Sequence, residues 1–170
     1  RSIETDIFAH AMERVTGKRL PQIISERLWV PMGAEEDANI TLDSIGYGLA
    51  CGGVSASLRD LARFGDAMLK EGLVNGKQVI PKKWVNDVRH GTHGLPLEKY
   101  FEKGHYRNQF WVEDSNKGSH YCLGVFGQLI YVAPQSKMVA VKFSTWPTFR
   151  SEEFVTYTTR ALHAIASELN

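Results

Sequence analysis

The apolar pattern of this 170-residue chain changes period twice, and those changes limit the folds open to it. Up to about residue 105 apolar residues recur at helical spacing. From Tyr106 onward, aromatic and β-branched runs take over, and the final segment returns to a helical period. Helices first, then an antiparallel meander and a closing helix, argue an α+β fold rather than alternating βαβ units.

Near the N-terminus, Ser2 suits a helix N-cap, with Glu4 and Asp6 in the first turn. Ile3, Ile7, Phe8, Ala11 and Val15 would then face inward, and Gly17 closes the helix. A second helix is expected from Pro21 to Pro31-Met32-Gly33. Residues 34–54 show no strong period and end in Cys51-Gly52-Gly53, where glycines allow close backbone approach. Ser55 or Ser57 caps a helix with Leu58, Leu61, Ala62, Gly65, Met68 and Leu69 on one face. Val74-Asn75-Gly76-Lys77 reads as a tight turn into Val79-Ile80. Pro81 opens a further helix through Trp84, Val85 and Val88, and residues 91–105 form a surface loop. Strands are expected over Tyr106–Val112, Tyr121–Val132 and Met138–Phe143, with a hairpin at Ala133-Pro134-Gln135-Ser136. A last helix, capped by Ser151, turns Phe154, Ala161, Leu162, Ile165 and Leu169 inward. Three strands bury only one sheet face well, so a further segment or covering loops are needed. The whole reads as one domain over residues 1–170, mainly helical over residues 1–105 and built of sheet strands and a closing helix over residues 106–170.

Composition removes several classes of function. The net charge is +1 and basic residues never run longer than two, so neither nucleic acid nor an anionic membrane is an expected partner. No stretch approaches the roughly 18 apolar residues of a membrane span, and no signal-peptide pattern opens the chain. Cys51 and Cys122 lie far apart in sequence, which favours free thiols and a cytoplasmic location. The start at Arg1, running almost at once into a helix, is expected of an excised piece of a longer polypeptide.

Nucleophilic chemistry leaves recognisable spacings. No serine has lysine three residues on, and no Gly-x-Ser-x-Gly elbow occurs. Cys122 near His120 suggests a thiol nucleophile, but without an orienting Asn or Asp it reads better as a buried structural thiol, and Cys51 likewise. His90-x-x-His93 lacks a third ligand, so no metal is expected there, and Glu35-Glu36-Asp37 reads as a solvated turn. Trp111 and Trp146 suit the core or the lining of a pocket. Gly124-Val125-Phe126-Gly127-Gln128 is the most informative string. Two glycines weaken a strand, which points either to an edge offering N–H groups to a substrate or to a bulge packed against a helix.

Longer blocks carry a resemblance. Ser2-Ile3-Glu4-Thr5-Asp6-Ile7, Glu13-Arg14-Val15-Thr16-Gly17 and Leu28-Trp29-Val30-Pro31-Met32-Gly33-Ala34 follow one another as in the 6-aminohexanoate-dimer hydrolases and their esterase and class C β-lactamase relatives. Gly52–Gly65 and Gly127–Pro134 are similar to later blocks of the same family, so the resemblance covers nearly the whole chain.

That resemblance implies a three-layer sheet-and-helix fold of the β-lactamase and DD-peptidase type, incomplete here. It implies hydrolysis of an amide or ester through an acyl-enzyme, with no cofactor. The Ser-x-x-Lys pair of the family would lie in an upstream segment, which is the expected partner of this one. Arg1-Ser2 matches the end of the family's Tyr-x-Ser motif, so the tyrosine would immediately precede Arg1. Ser2 then belongs to the catalytic surroundings, while Cys51, Gly52 and Phe126 would contact substrate. The Lys-Thr-Gly motif of β-lactamases is replaced by Cys122-Leu123-Gly124. Gly124 persists, and the Val125 N–H would be an oxyanion donor. The lost lysine and threonine turn the expectation from β-lactams to linear amides, small esters or amino-acid oligomers. Alone, the chain is expected to be inactive. The alternative is a non-catalytic binding module on the same scaffold.

Overall fold

A computed structural model describes residues 2–97 and 101–169, the side chain of Ser2 excepted. Glu98, Lys99 and Tyr100, within the expected surface loop, and Arg1 lie outside the described residues. The chain forms two compact units, Arg1–Arg63 and Phe64–Asn170.

The first unit opens with α1 (Ser2–Thr16), which ends where Gly17 takes a left-handed φ of 67°. α2 (Leu20–Ile24) begins with proline in its first turn and widens into a π-turn over Ser25–Trp29. It tightens again into α3 (Val30–Met32), ended by Gly33 at φ 74°. The face of α1 expected to point inward does not do so. Ile3, Ile7, Phe8 and Val15 are exposed, and Ala9 and Glu13 are the buried positions. Polar anchors explain this: buried Glu13 accepts the Leu20 N–H at 2.7 Å and pairs with Arg19 at 3.2 Å. β1 (Asn39–Ile40) pairs antiparallel with β2 (Val54–Ser55) and closes the intervening loop. Ser57 is the cap of α4 (Leu58–Leu69), its hydroxyl accepting the Asp60 N–H at 3.2 Å. Asp60 is fully buried and accepts from the Glu35 and Glu36 N–H groups, the Ser57 hydroxyl and Arg63. Burial pushes its carboxyl up, and those donors outweigh burial, holding it below the ordinary value.

In the second unit, β3 (Leu73–Val74) and β4 (Lys77–Gln78) form the hairpin announced by Asn75-Gly76, both residues having positive φ. Pro81 caps α5 (Lys82–His90). Six strands follow as an antiparallel meander: β5 (Leu95–Pro96), β6 (His105–Arg107), β7 (Phe110–Asp114), β8 (Ser119–Leu123), β9 (Leu129–Ala133) and β10 (Met138–Lys142). Two expected strands are therefore hairpins. Tyr106–Val112 breaks at Asn108 and Gln109, both left-handed, and Tyr121–Val132 breaks at a short helical corner, Val125–Gly127.

With six strands, the sheet has two faces to cover, and helices cover both. Register pairs Trp111 with Tyr121 and Tyr121 with Tyr131 on one face, where Leu162 and Ala166 of α6 (Glu152–Glu168) pack. Ser151 caps α6 as expected, accepting the Phe154 N–H at 3.2 Å, whereas Ile165 and Leu169 stay exposed. The opposite face carries Phe110, Val112, His120, Ile130 and Val139. Trp84 of α5 meets Phe110 edge-on, and Gly65 of α4 lies so close to Val139 that a side chain there would collide. The unit is thus three-layered, helix on sheet on helix, as the resemblance implies. No described helix is long and apolar enough to cross a membrane.

Candidate functional site

The residues singled out in the sequence fall into two local groups, one in each unit. In the first unit Cys51 and Gly52 form the exposed tip of a turn. Asp6 on α1 anchors it, its Oδ1 accepting the N–H groups of Ala50 at 2.9 Å and Cys51 at 3.1 Å. Gly53 closes the turn through its N–H to the Leu49 carbonyl, and a side chain at 53 would strike that carbonyl. Gly52 adopts φ 133°, a value that glycine tolerates. Ser2 is the first residue of α1, and its side chain lies outside the described residues. Asp6 was legible only as an acid in a helix first turn, because its partners lie 44 and 45 residues away.

In the second unit Gly124, Val125 and Phe126 form the corner between β8 and β9. This is not the glycine-interrupted strand expected, since β8 ends at Leu123 and β9 starts at Leu129. The corner is closed by the Gly124 N–H donating to the Gln128 carbonyl at 2.9 Å. Phe126 is left-handed (φ 55°, ψ 23°), as is Gly127 at φ 85°. Val125 is about half exposed, and no acceptor among the described residues engages its N–H. An unengaged backbone N–H at an exposed residue on a fixed corner suits an oxyanion donor. Beside it lies a cavity of about 350 Å³, lined by Trp111, Leu123, Val125, Trp146, Phe149 and Val155 among others. Both tryptophans therefore reach a pocket wall.

The other candidate chemistries find no support. Cys122 is on the sheet face of His120, but burial pushes its thiol up to about 12, so thiolate is scarce near neutrality. His120 is fully buried, with Nδ1 at 2.9 Å from the Gly118 carbonyl and Nε2 without a partner. Burial lowers its pKa to about 4, keeping the ring neutral. His90 turns its Nδ1 to the Ser115 carbonyl at 2.6 Å, and no group of three possible metal ligands gathers among the described residues. No disulfide joins Cys51, which is exposed, to Cys122.

One polar cluster was not anticipated. Glu113 on β7 accepts from the hydroxyls of Ser119 (3.0 Å), Tyr121 (3.1 Å) and Tyr131 (3.3 Å). It also pairs with His163 of α6 at 2.6 Å. An open cavity of about 630 Å³ adjoins it, lined by Glu113, Tyr131, Ser136 and His163 among others. Strand register places the two tyrosines on one face, and nothing in the sequence links them to a histidine beyond residue 160.

Comparison with known proteins adds to this geometry. The profile of the family described as Beta-lactamase matches residues 2–165. A 6-aminohexanoate-dimer hydrolase of Paenarthrobacter ureafaciens is 38% identical over 151 residues, covering 86% of this chain and 38% of that protein. An uncharacterized protein of Alkalihalophilus pseudofirmus is 34% identical over 119 residues, or 59% of this chain and 32% of its own length. A solved structure from Bacillus anthracis, named for 6-aminohexanoate-dimer hydrolase, superposes with a TM-score of 0.85 at 32% identity, over 96% of this chain and 42% of that one. A second, from Bacteroides dorei and named for beta-lactamase, gives 0.61 at 15% identity over 89% and 54%, and speaks for the fold alone. The chain thus spans about two fifths or less of the length of these two curated relatives.

Proposed function

The chain belongs to the beta-lactamase family, and on that premise we propose that it is the C-terminal portion of a serine hydrolase that cleaves amide or ester bonds through an acyl-enzyme. The observation that carries the reading is the Val125 N–H, unengaged at an exposed residue on a fixed corner. The serine and lysine of Ser-x-x-Lys come from an upstream segment, as does the tyrosine of Tyr-x-Ser, whose last position is Ser2. In the acylation step that serine attacks the substrate carbonyl while lysine and tyrosine move the proton from nucleophile to leaving group. The Val125 N–H takes the charge that develops on the carbonyl oxygen. Gly124 lets β8 turn into the corner, since a side chain there would strike Gln128, and Phe126 beside the N–H contacts substrate.

Substrate class follows from what the strand end lacks. Where β-lactamases carry lysine and threonine, β8 ends in Cys122 and Leu123, neither of which grips a carboxylate. A linear amide or small ester fits better than a β-lactam, and the relative named for the 6-aminohexanoate dimer supports an amino-acid oligomer. The upstream segment would also cover the exposed Ile3, Ile7, Phe8 and Val15 on α1.

The test is hydrolysis of p-nitrophenyl acetate by this chain alone and joined to its preceding coding segment. No turnover is expected alone, and joining should bring turnover together with one covalent fluorophosphonate adduct on an upstream serine. Turnover by the chain alone, lost in Cys122→Ala, would make it a cysteine enzyme. A joined protein that neither turns over nor takes the probe would be a binding module.

A further inference from the structure

The corner that presents Val125 is held from outside its own hairpin. We infer that the segment 144–149, together with the Gln128 side chain, is a clamp that fixes the Val125 N–H for catalysis, with Gln128 and Trp146 as positioning residues. The inference rests on the hydrolase reading above.

Phe126 bears the difficult conformation. A left-handed φ is unfavourable for any residue with a Cβ, and an aromatic one gains no local hydrogen bond there. Left alone, the corner would relax into extended backbone and extend the hairpin, carrying Val125 towards the ladder. Two backbone bonds to the neighbouring segment prevent this. The Phe126 N–H donates to the Phe149 carbonyl at 2.9 Å, and its carbonyl accepts the Trp146 N–H at 3.2 Å. Both polar groups of Phe126 are therefore spent on the segment, while the N–H one residue earlier is left without an acceptor.

The segment is itself tied back to the hairpin by side chains. Gln128 uses both ends of its amide on one residue: Nε2 donates to the Ser144 carbonyl at 2.5 Å, and Oε1 accepts the Ser144 N–H at 3.1 Å. The Lys142 ammonium donates to the Gly127 carbonyl at 3.1 Å and lies 4.7 Å from the centre of the Trp146 ring. Trp146 packs so closely on Gly127 that any side chain at 127 would collide with the indole, which explains the glycine there. Gln128, Lys142 and Trp146 thus hold the corner from three directions and leave one N–H free. An oxyanion donor acts over a window of a few tenths of an ångström, so loosening this clamp should act on the chemical step.

The experiment uses the joined, active protein. Active sites are counted with a fluorophosphonate so that misfolded molecules are excluded from kcat. Gln128→Ala should lower kcat about tenfold to a hundredfold while KM stays within about twofold. Trp146→Ala should do the same, and Trp146→Phe, which keeps a ring against Gly127, should restore most of kcat. Amide exchange at Phe126, read in the chain alone, should speed up in both alanine variants. Unchanged kcat in Gln128→Ala and Trp146→Ala, with the serine probe still reacting, overturns the clamp and leaves the hydrolase reading standing. An equal fall with Trp146→Phe, or a rise in KM with kcat intact, also overturns it. If the wild-type joined protein neither hydrolyses nor takes the probe, the hydrolase reading fails and this role fails with it.

Discussion

Removing Glu113 tests whether the polar cluster under α6 holds the sheet together or merely decorates a cavity. The carboxylate accepts three hydroxyls and the His163 ring nitrogen, and its side chain is only 15% exposed. Each hydrogen bond from a neutral donor to a charged acceptor is worth roughly 1.5–3 kcal/mol, and the half-exposed His163 pair roughly 1 kcal/mol or less. A plain sum overstates the loss, because the open cavity alongside admits water to Tyr131 and Ser119, both of which line it. Tyr121 does not line that cavity and is fully buried, so water cannot replace Glu113 at its hydroxyl. A loss of about 3 kcal/mol for Glu113→Ala follows, lowering Tm by roughly 6–12 °C for a chain of this size.

The assay is urea unfolding at pH 7 followed by fluorescence, with a cycle to locate the cost. His163 Nε2 stands 3.2 Å from the Tyr121 hydroxyl and the Tyr131 hydroxyl is a further acceptor for it, so the cycle starts from Glu113→Ala combined with His163→Ala and Tyr131→Phe. Adding Tyr121→Phe there should recover about 1–2 kcal/mol by removing the stranded hydroxyl. Tyr131→Phe added to Glu113→Ala alone should recover little, because Tyr131 lines the open cavity. Burial, and then the charge of Glu113, push both phenols well above the ordinary tyrosine range, so they remain donors throughout. A Glu113→Ala loss under about 0.5 kcal/mol, or rescue by Tyr131→Phe in place of Tyr121→Phe, would refute the reasoning.

Two further measurements test the chain's other buried groups. His120 titrates at about 4 when folded, chiefly because of burial, with Arg89 and His90 adding repulsion. The unfolded ring takes up its proton near 6.5, so stability should be full above that pH and fall as pH drops towards 4, by about 3 kcal/mol in all. Urea unfolding between pH 7 and pH 4.5 should show that slope, and His120→Phe should remove it; an unchanged slope would refute the assignment. Thiol labelling at pH 8 separates the cysteines: exposed Cys51 should react at once, and Cys122 only after denaturant is added. Rapid reaction at Cys122 in the folded chain would refute the upward shift of its thiol.

The fold was legible wherever one residue type forces one backbone state. Asn75-Gly76 turned where expected, Ser57 and Ser151 capped their helices, and Gly17 and Gly33 ended theirs. Legibility failed where tertiary contacts supply the reason. Asn108 and Gln109 are both left-handed without a glycine, so the break between β6 and β7 looked like continuous strand. The turn is bound from elsewhere: Asn108 donates to the Asp87 carboxylate of α5, and Arg107 bonds Asp87 as well. On α1, periodicity identified an apolar stripe and could not say what it faces, because Glu13 and Asp6 seat the helix by its polar side.

The candidate site shows the same division within five residues. Glycines at 124 and 127 marked a place where backbone must be special, and that much follows from their missing side chains. The form of the exception depended on Phe126. An aromatic residue is a strong strand former, and here it adopts the conformation least suited to it, because Trp146 and Phe149 take both its hydrogen bonds. Local propensity and tertiary demand disagree at the residue next to the proposed oxyanion donor, which is where a conflict of this kind is expected to mark function. The disagreement also gives Gln128 its meaning: within the strand pattern it is an ordinary polar residue, and beside Ser144 it is the tie that lets Phe126 stay left-handed.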